Sequence, residues 1–384
     1  MGEQLQLDKV DILGGGPAGL YSALLLKTDM PDARIRVWEQ NPKDATFGFG
    51  VVFSDQALGF LQVDDPQTHD LITPHMQQWR NISIVHEGES VILDGIGFSA
   101  IGRLHLLQLL QKRAGDAGVE LVFDQPVSSI DTLDGDLIIG ADGFNSLIRN
   151  SDPQAFGQTL GRFSNHFAWF GTAKRFETLT QTFVTTDHGA MNAHHYRYQQ
   201  DMSTFIVECD QDSFEGHGFG ELTQAQTADQ CAKIFAEALG GEQLIANHSM
   251  WRQFPKLWCE NWAVGNRVLL GDAAHTAHYS IGSGTRLAME DSIALARALR
   301  QSSDLDAALA NFQEMRKPVA RKIVEAANTS ALWYDGFADK MTLAPLEFAF
   351  DYVRRSGRVD VESLRKYSPQ FIAKLEAYRA GVIS

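Results

Sequence analysis

Residues 271–285 read GDAAHTAHYSIGSGT. An acid, Asp272, follows Gly271 at the end of the apolar run Val268–Leu270, and small residues then carry His275, His278 and Tyr279. A carboxylate at the C-terminal end of a strand can accept a hydrogen bond from a ligand hydroxyl, an interaction of about 1.5–3 kcal/mol for a charged partner. The imidazole of His278 and the phenol of Tyr279 are groups that hold or take a proton. A second set lies in GAMNAHHYRY, where strand alternation puts His194 and Tyr196 on one face and His195 and Arg197 on the other. One of these pairs faces a substrate, and spacing does not say which. A hydrogen-bonded structural histidine is the ordinary alternative for each. No acid–base triad is evident. The cysteines, Cys209, Cys231 and Cys259, form no CxxC or metal-ligand spacing, so they read as buried inert thiols and no metal is expected.

The elements that must position these groups begin at the N-terminus. KVDILGGGPAGLYSALLLK is an apolar strand, a glycine turn and a helix. Gly14, Gly16 and Gly19 spell G-x-G-x-x-G, with Pro17 and Ala18 inside it. The first glycine makes the tight turn, the second lets a pyrophosphate approach, and the third lets helix and strand pack closely. Phosphate oxygens then meet the free N–H groups of the helix start. A second strand, ARIRVWEQ, ends in Glu39 and Gln40, and Glu39 stands twenty residues after Gly19. A carboxylate there accepts the hydroxyls of an adenosine ribose and repels a 2′-phosphate, which leaves NAD or FAD as the bound nucleotide. Asp272 decides between them. FAD is long and folds over a sheet, so its ribityl chain needs a second contact that NAD does not. The small residues after Asp272 let a flat ring lie on the backbone. Gly282, Ser283, Gly284 and Thr285 open a helix whose N-terminal amides favour an anionic reduced flavin. Phe49, Val51, Val52 and Phe53 are candidates for the outer wall, with core packing as the alternative.

DGDLIIGADGFNSLIR (134–149) repeats the pattern of a strand ending in glycine and acid, with Asp142, Ser146 and Arg149. Together the glycine fingerprint, this DG stretch and the GD stretch resemble the class A flavoprotein monooxygenases, the para-hydroxybenzoate hydroxylase-like family. The resemblance implies that Asp142 helps organise FAD and a transient nicotinamide. It also implies that Arg103, opening the amphipathic run IGRLHLLQLLQKR, meets the FAD phosphate or ribose. The chain has no second nucleotide fingerprint and no redox CxxxxC pair. NADH or NADPH must therefore visit and leave, as in a monooxygenase and unlike a disulfide reductase.

Three pieces, FGFGVVFSDQALGFL (47–61), AHTAHYSIGSGTRLAMED (274–291) and STFIVE (203–208), are similar to the salicylyl-CoA 5-hydroxylase and 2-aminobenzoyl-CoA monooxygenase branch. The tryptophan-hydroxylating flavoenzyme of violacein biosynthesis shares parts of them. Many family members carry Pro where Tyr279 stands and Gln where Ser283 stands. The resemblance implies NAD(P)H reduction of FAD, O2 activation as a flavin C4a-hydroperoxide, and hydroxylation of an electron-rich ring, here an aromatic CoA thioester such as salicylyl-CoA. Fused relatives carry a further old-yellow-enzyme-like module; this sequence ends at Ser384, so ring reduction by one is not expected. The alternatives are hydroxylation of a free small aromatic, an indole amino acid or phenolic acid, and a non-catalytic flavin-binding protein.

Bulk properties agree with this class. The 384 residues are 44% apolar and 21% charged, with a formal charge of −15. That balance argues against nucleic acid or an anionic membrane as partner. No apolar run approaches the roughly 18 residues of a membrane span, and MGEQLQLDKVDIL lacks an export signal or a good myristoylation pattern, which points to the cytoplasm. Oligomeric state is open. The expected architecture is α/β: a Rossmann-like FAD-binding domain (1–75, 98–155 and 258–305), an inserted antiparallel-sheet substrate domain (76–97 and 156–257), and C-terminal helices (306–384) packed on the flavin domain. FAWFGTAKRF, TQTFVTT, GAMNAHHYRY and MSTFIVEC read as the antiparallel strands, and TADQCAKIFAEALGG as a helix closed by glycine. RRSGRVDVESLRK is locally basic, with Arg354, Arg355, Arg358, Arg365 and Lys366. It is a solvated helix face or a site for CoA phosphates.

Overall fold

A computed structural model describes residues 5–46 and 48–383, apart from the side chains of Asp55 and Gln56. The first residues of MGEQLQ, and Phe47 at the head of the 47–61 stretch, lie outside the described residues.

Among the described residues, a six-stranded sheet runs in the order Ala263–Val264, Arg267–Leu269, Leu137–Gly140, Lys9–Leu13, Arg34–Trp38, Glu120–Val122. The five strands after the first are mutually parallel, and Ala263–Val264 is an antiparallel edge. Such strands must be apolar on both faces. Val10, Ile12 and Leu13 are all buried, as are Leu137, Ile138 and Ile139. The helix Pro17–Asp29 packs against the helices Arg103–Asp116 and Gly284–Arg300. Its Leu20, Tyr21, Ala23 and Leu24 share one core with Leu106, Leu110 and Leu295.

The second layer is a larger, mostly antiparallel sheet. Gln158–Thr172, Ser203–Cys209, Gly189–Arg197 and Leu179–Thr186 lie side by side in that order. Ile82–His86 then joins in parallel and Glu89–Leu93 closes the edge. One face carries Ala168, Phe170, Met191, Ala193, Phe205 and Val207 against Ala228, Cys231 and Phe235. The expected single helix over TADQCAKIFAEALGG is two: Gln224–Ile234 ends at Phe235 (φ −103°, ψ 27°). Ala236–Leu239 then ends at left-handed Gly240. All three cysteines are buried, and burial pushes each thiol up.

The C-terminal helices differ from expectation. Leu305–Asp335 does pack on Gly284–Arg300, next to the parallel sheet. Pro345–Val353 and Pro369–Arg379 instead cover the strands Ile82–His86 and Glu89–Leu93. Phe348, Tyr352, Phe371 and Leu375 there bury Ile84, Val91 and Leu93. The apolar stripe of a helix announces that it is covered and not by which layer. Among the described residues no helix is long and apolar enough to cross a membrane.

Candidate functional site

Three neighbouring parallel strands, Lys9–Leu13, Leu137–Gly140 and Arg267–Leu269, present their carboxyl ends on one edge of the sheet, where α/β folds place ligands. The loops leaving them carry Gly14–Gly16, Ala141–Gly143 and Gly271–Asp272. A cleft of about 1060 Å³, including its open mouth, lies between these loops and the antiparallel sheet.

The glycines divide into two kinds. A Cβ on Gly14, whose φ is +104°, would sit 2.2 Å from the Ala141 carbonyl oxygen, and one on Gly19 would sit 1.9 Å from that of Gly14. These two serve protein packing. Gly16, Gly143 and Gly284 meet nothing within 4 Å, and all three line the cleft, so their bare backbone faces open space. Pro17 and Ala18 line it too. Gly16 caps the helix Pro17–Asp29 without a side-chain bond, which leaves that helix start free for an anion.

Opposite stands a cation. Arg103 lines the cleft, and its buried Nε has no partner. Burial pulls its pKa down and Asp272 partly restores it. Asp272 also lines the cleft; its surface is open to the cleft, while protein on its other sides pushes the carboxyl up, offset by His275 and Arg103. Ser283 and Thr285 line the far end, where the helix Gly284–Arg300 starts without a side-chain cap and the buried Ser283 hydroxyl is unpartnered. Gly282 stands at φ +63° against Val52, and Val51 and Val52 form the adjoining wall. A bare turn at a helix start with the Arg103 guanidinium opposite it, an open carboxylate and a second uncapped helix fit, in order, the diphosphate, the ribityl chain and the ring edge of FAD.

Other predicted contacts do not line the cleft. Glu39 accepts from the Gly15 N–H at 2.7 Å and from Asn41 N and Nδ2 at 2.8 and 2.6 Å, which holds its carboxylate beside the glycine turn. Gln40 is exposed. Asp142 accepts the Leu147 N–H at 2.6 Å, its other oxygen is buried without a partner, and burial raises its pKa. Gly271 is buried at φ +57°, and its N–H donates to Asp291 at 3.0 Å. Phe53 is fully buried in the core, while Phe49 packs over Gly171.

The antiparallel sheet supplies the other wall. Trp169, His194, Tyr196, Ile206 and Phe254 line it, with Tyr279. Tyr196 donates to the Gly50 carbonyl at 2.9 Å. His194 is buried with neither ring nitrogen partnered, and burial, then Arg355, push its pKa down to about 3, so it is neutral. Tyr279 donates to Glu208 Oε2 at 2.5 Å. His195 is a correction: it lies on the opposite face, bonded to Thr182 Oγ1 at 2.9 Å and stacked on Phe205, because adjacent strand residues point to opposite sides. His278 is corrected likewise. Its ring packs against Phe163, Phe254 and Tyr279, and its Nδ1 accepts the Ser280 N–H, so it supports the loop from behind.

Residues 106–327 match the family model described as an FAD binding domain. Salicyloyl-CoA 5-hydroxylase of Streptomyces sp is 40% identical over 360 residues, covering 91% of this chain and 70% of that one. The chain belongs to the class A FAD-dependent aromatic monooxygenases. The 3-hydroxy-4-methyl-anthranilyl-(aryl-carrier protein) 5-monooxygenase of Streptosporangium sibiricum is 32% identical, covering 93% and 96%. Among solved structures, 2-methyl-3-hydroxypyridine-5-carboxylic acid oxygenase shares the fold at TM-score 0.71 and 16% identity, over 94% and 98% of the two chains. In this monooxygenase, Trp169, Ile206 and Phe254 were not singled out from sequence, since an apolar residue in a buried strand carries no mark of which cavity it faces. Arg149 ties two loops of the cleft together, donating to the Ala273 carbonyl at 3.0 Å and to Gln158 at 2.8 Å, and also to the Phe144 carbonyl.

Proposed function

We propose that this flavin-dependent hydroxylase consumes NADH or NADPH and O2 to hydroxylate an aromatic acyl thioester, with salicyloyl-CoA (5-hydroxylation) as the first candidate. The similarity to the Streptomyces salicyloyl-CoA enzyme, 40% over 91% of the chain, carries the choice of substrate. The cleft agrees with it. With the flavin ring over the small-residue loop Gly282–Gly284, a flat aromatic group would lie between that ring and the aromatic wall of Trp169 and Phe254, with Tyr279 and neutral His194 as its polar neighbours. Bound FAD supplies the oxygen-transferring chemistry. In this reading Gly16, Arg103 and Asp272 would hold it, residues 76–97 and 156–257 form the substrate domain, and Tyr279 and His194 meet the ring substituents.

Stopped-flow reduction of the FAD-loaded protein by NADH and NADPH, against a panel of aromatic CoA thioesters and free acids, tests it. Salicyloyl-CoA is expected to accelerate reduction strongly and to yield hydroxylated product in proportion to nicotinamide consumed. Equal use of free salicylate removes the thioester claim.

The basic C-terminal segment does not form one face. Arg355 turns inward to the Ser280 carbonyl at 2.8 Å, and Arg365 pairs with Glu376. Arg358 lines a cavity of about 650 Å³, including its open mouth, with Arg286 and Ser356, next to Gly282 and Ser283. A CoA phosphate seated there gives a salt-sensitive KM. Raising ionic strength, or Arg358→Ala, is expected to raise KM for salicyloyl-CoA about three- to tenfold while NAD(P)H oxidation without substrate hardly changes. A KM indifferent to both places the phosphates elsewhere.

A further inference from the structure

STFIVE ends on Glu208, a carboxylate in a strand that is buried on both faces. Glu208 is 2% exposed and, among the described residues, has no cation in contact. Isolated carboxylates are costly to bury, so one kept without a counter-ion calls for an explanation. Its Oε1 accepts from Asn165 Nδ2 at 3.0 Å, and Asn165 is itself fixed by donating to the Tyr334 carbonyl at 2.9 Å. Its Oε2 faces the Tyr279 hydroxyl at 2.5 Å. Tyr279 lines the cleft and Glu208 does not.

We propose that Tyr279 and Glu208 form a proton relay that takes the proton of the substrate's ring hydroxyl. This rests on the reading of the cleft as the site of aromatic hydroxylation. The substrate O–H bond breaks as a new O–H bond forms on Tyr279. The former Tyr279 proton moves to Oε2, and the Glu208 carboxylate becomes a carboxylic acid. No electron leaves the oxygen atoms, so no oxidant is needed, and the reverse path returns the proton to the product. Tyr279 touches the substrate; Glu208 acts through it as a positioning residue for the proton.

The surroundings suit this transfer. Burial raises Glu208 to about 7, against the lowering effect of its bonds to Tyr279 and Asn165, with Asp335 adding to the rise. Tyr279 is pushed far above its ordinary value by burial and by Glu208, so it relays a proton without resting as a phenolate. The other ionisable groups facing the pair are Tyr334, Cys209, His278, His194 and Arg355. Burial holds both histidines neutral, and Arg355 is engaged with the Ser280 carbonyl and the Tyr352 ring. Glu208 is thus the acceptor that becomes available as pH rises through neutrality.

The test uses the oxidised, FAD-loaded enzyme without nicotinamide, so that nothing turns over. The phenol-to-phenolate absorbance of bound salicyloyl-CoA is followed against pH, with benzoyl-CoA as the hydroxyl-free reference and salicylate as the free acid. Glu208→Gln keeps an acceptor for Tyr279 but cannot take a proton. It is expected to raise the ionisation midpoint of bound salicyloyl-CoA by about one unit or more, a roughly tenfold loss of the ionised fraction below it, with benzoyl-CoA affinity unchanged. Tyr279→Phe should shift the midpoint equally, and it decides the matter if Glu208→Gln does not fold. A Glu208→Gln protein that ionises the ligand as wild type does overturns the relay. Wild type that ionises salicylate but not salicyloyl-CoA keeps the relay and removes the thioester reading. Wild type that ionises neither overturns both.

Discussion

Asp291→Ala is expected to lower folding stability by about 3–5 kcal/mol, the usual cost of removing one member of a buried ion pair, and to loosen FAD. Asp291 is fully buried in the helix Gly284–Arg300. One oxygen accepts from the Gly271 N–H at 3.0 Å and from His275 Nε2 at 2.9 Å; the other accepts from Arg316 Nε at 2.7 Å. Arg316 is also nearly buried, and when Asp291 is gone it keeps its ion pair with Glu290 and a bond to the Leu287 carbonyl while its Nε loses its acceptor. Alanine therefore strands three donors in a site without water-facing surface, and two of them belong to the loop that carries Asp272. Burial alone would raise the Asp291 carboxyl, yet His275 and Arg316 outweigh it and hold the pKa below its ordinary value. The sign follows. Asp291 adds stability above the pH at which an unfolded aspartate ionises, and that stability is lost as pH falls through the lower folded value. Urea unfolding of wild type and Asp291→Asn should differ fully at neutral pH and converge in acid. A gap of under about 1 kcal/mol at neutral pH would show that the loop does not depend on this anchor.

Much of this fold is legible because its signals are local. A glycine turn between a buried strand and a helix is specified within a dozen residues, and the same holds for the strand ends at Asp142 and Asp272. The facing of His194 and His195 is different. Both sides of Gly189–Arg197 are buried, one against the helix Gln224–Ile234 and its neighbours and the other against the cleft and the C-terminal helices, so alternation separates the two histidines but cannot rank them. Arg355 belongs to a basic run in the sequence yet reaches inward, which depends on where the helix Pro345–Val353 docks. Glu208 was visible only as the last letter of a motif. Its partner Tyr279 is 71 residues away, and no spacing rule joins a strand residue to a loop across two layers.

Two glycines of the fingerprint separate folding from binding. Gly16→Ala is expected to fold within about 1 kcal/mol of wild type, the range of a changed helix cap, yet to bind FAD about 100-fold more weakly, which is about 2.7 kcal/mol. Gly16 has φ −78°, ordinary for any residue, and a Cβ there meets no protein atom within 4 Å. The only thing that a methyl group can obstruct is an occupant lying against the bare backbone at the helix start. Gly14→Ala is expected to fail earlier. Its φ of +104° is strained for alanine, and the new Cβ would press on the backbone at Ala141, where Lys9–Leu13 and Leu137–Gly140 are hydrogen-bonded neighbours. That protein should lose stability and FAD together. Measuring urea midpoints and FAD dissociation on both variants distinguishes the cases, since a packing glycine moves both quantities and a contact glycine moves only the second. A Gly16→Ala protein that keeps wild-type FAD affinity would remove the diphosphate from this turn, and with it the placement of the ring over Gly282–Gly284.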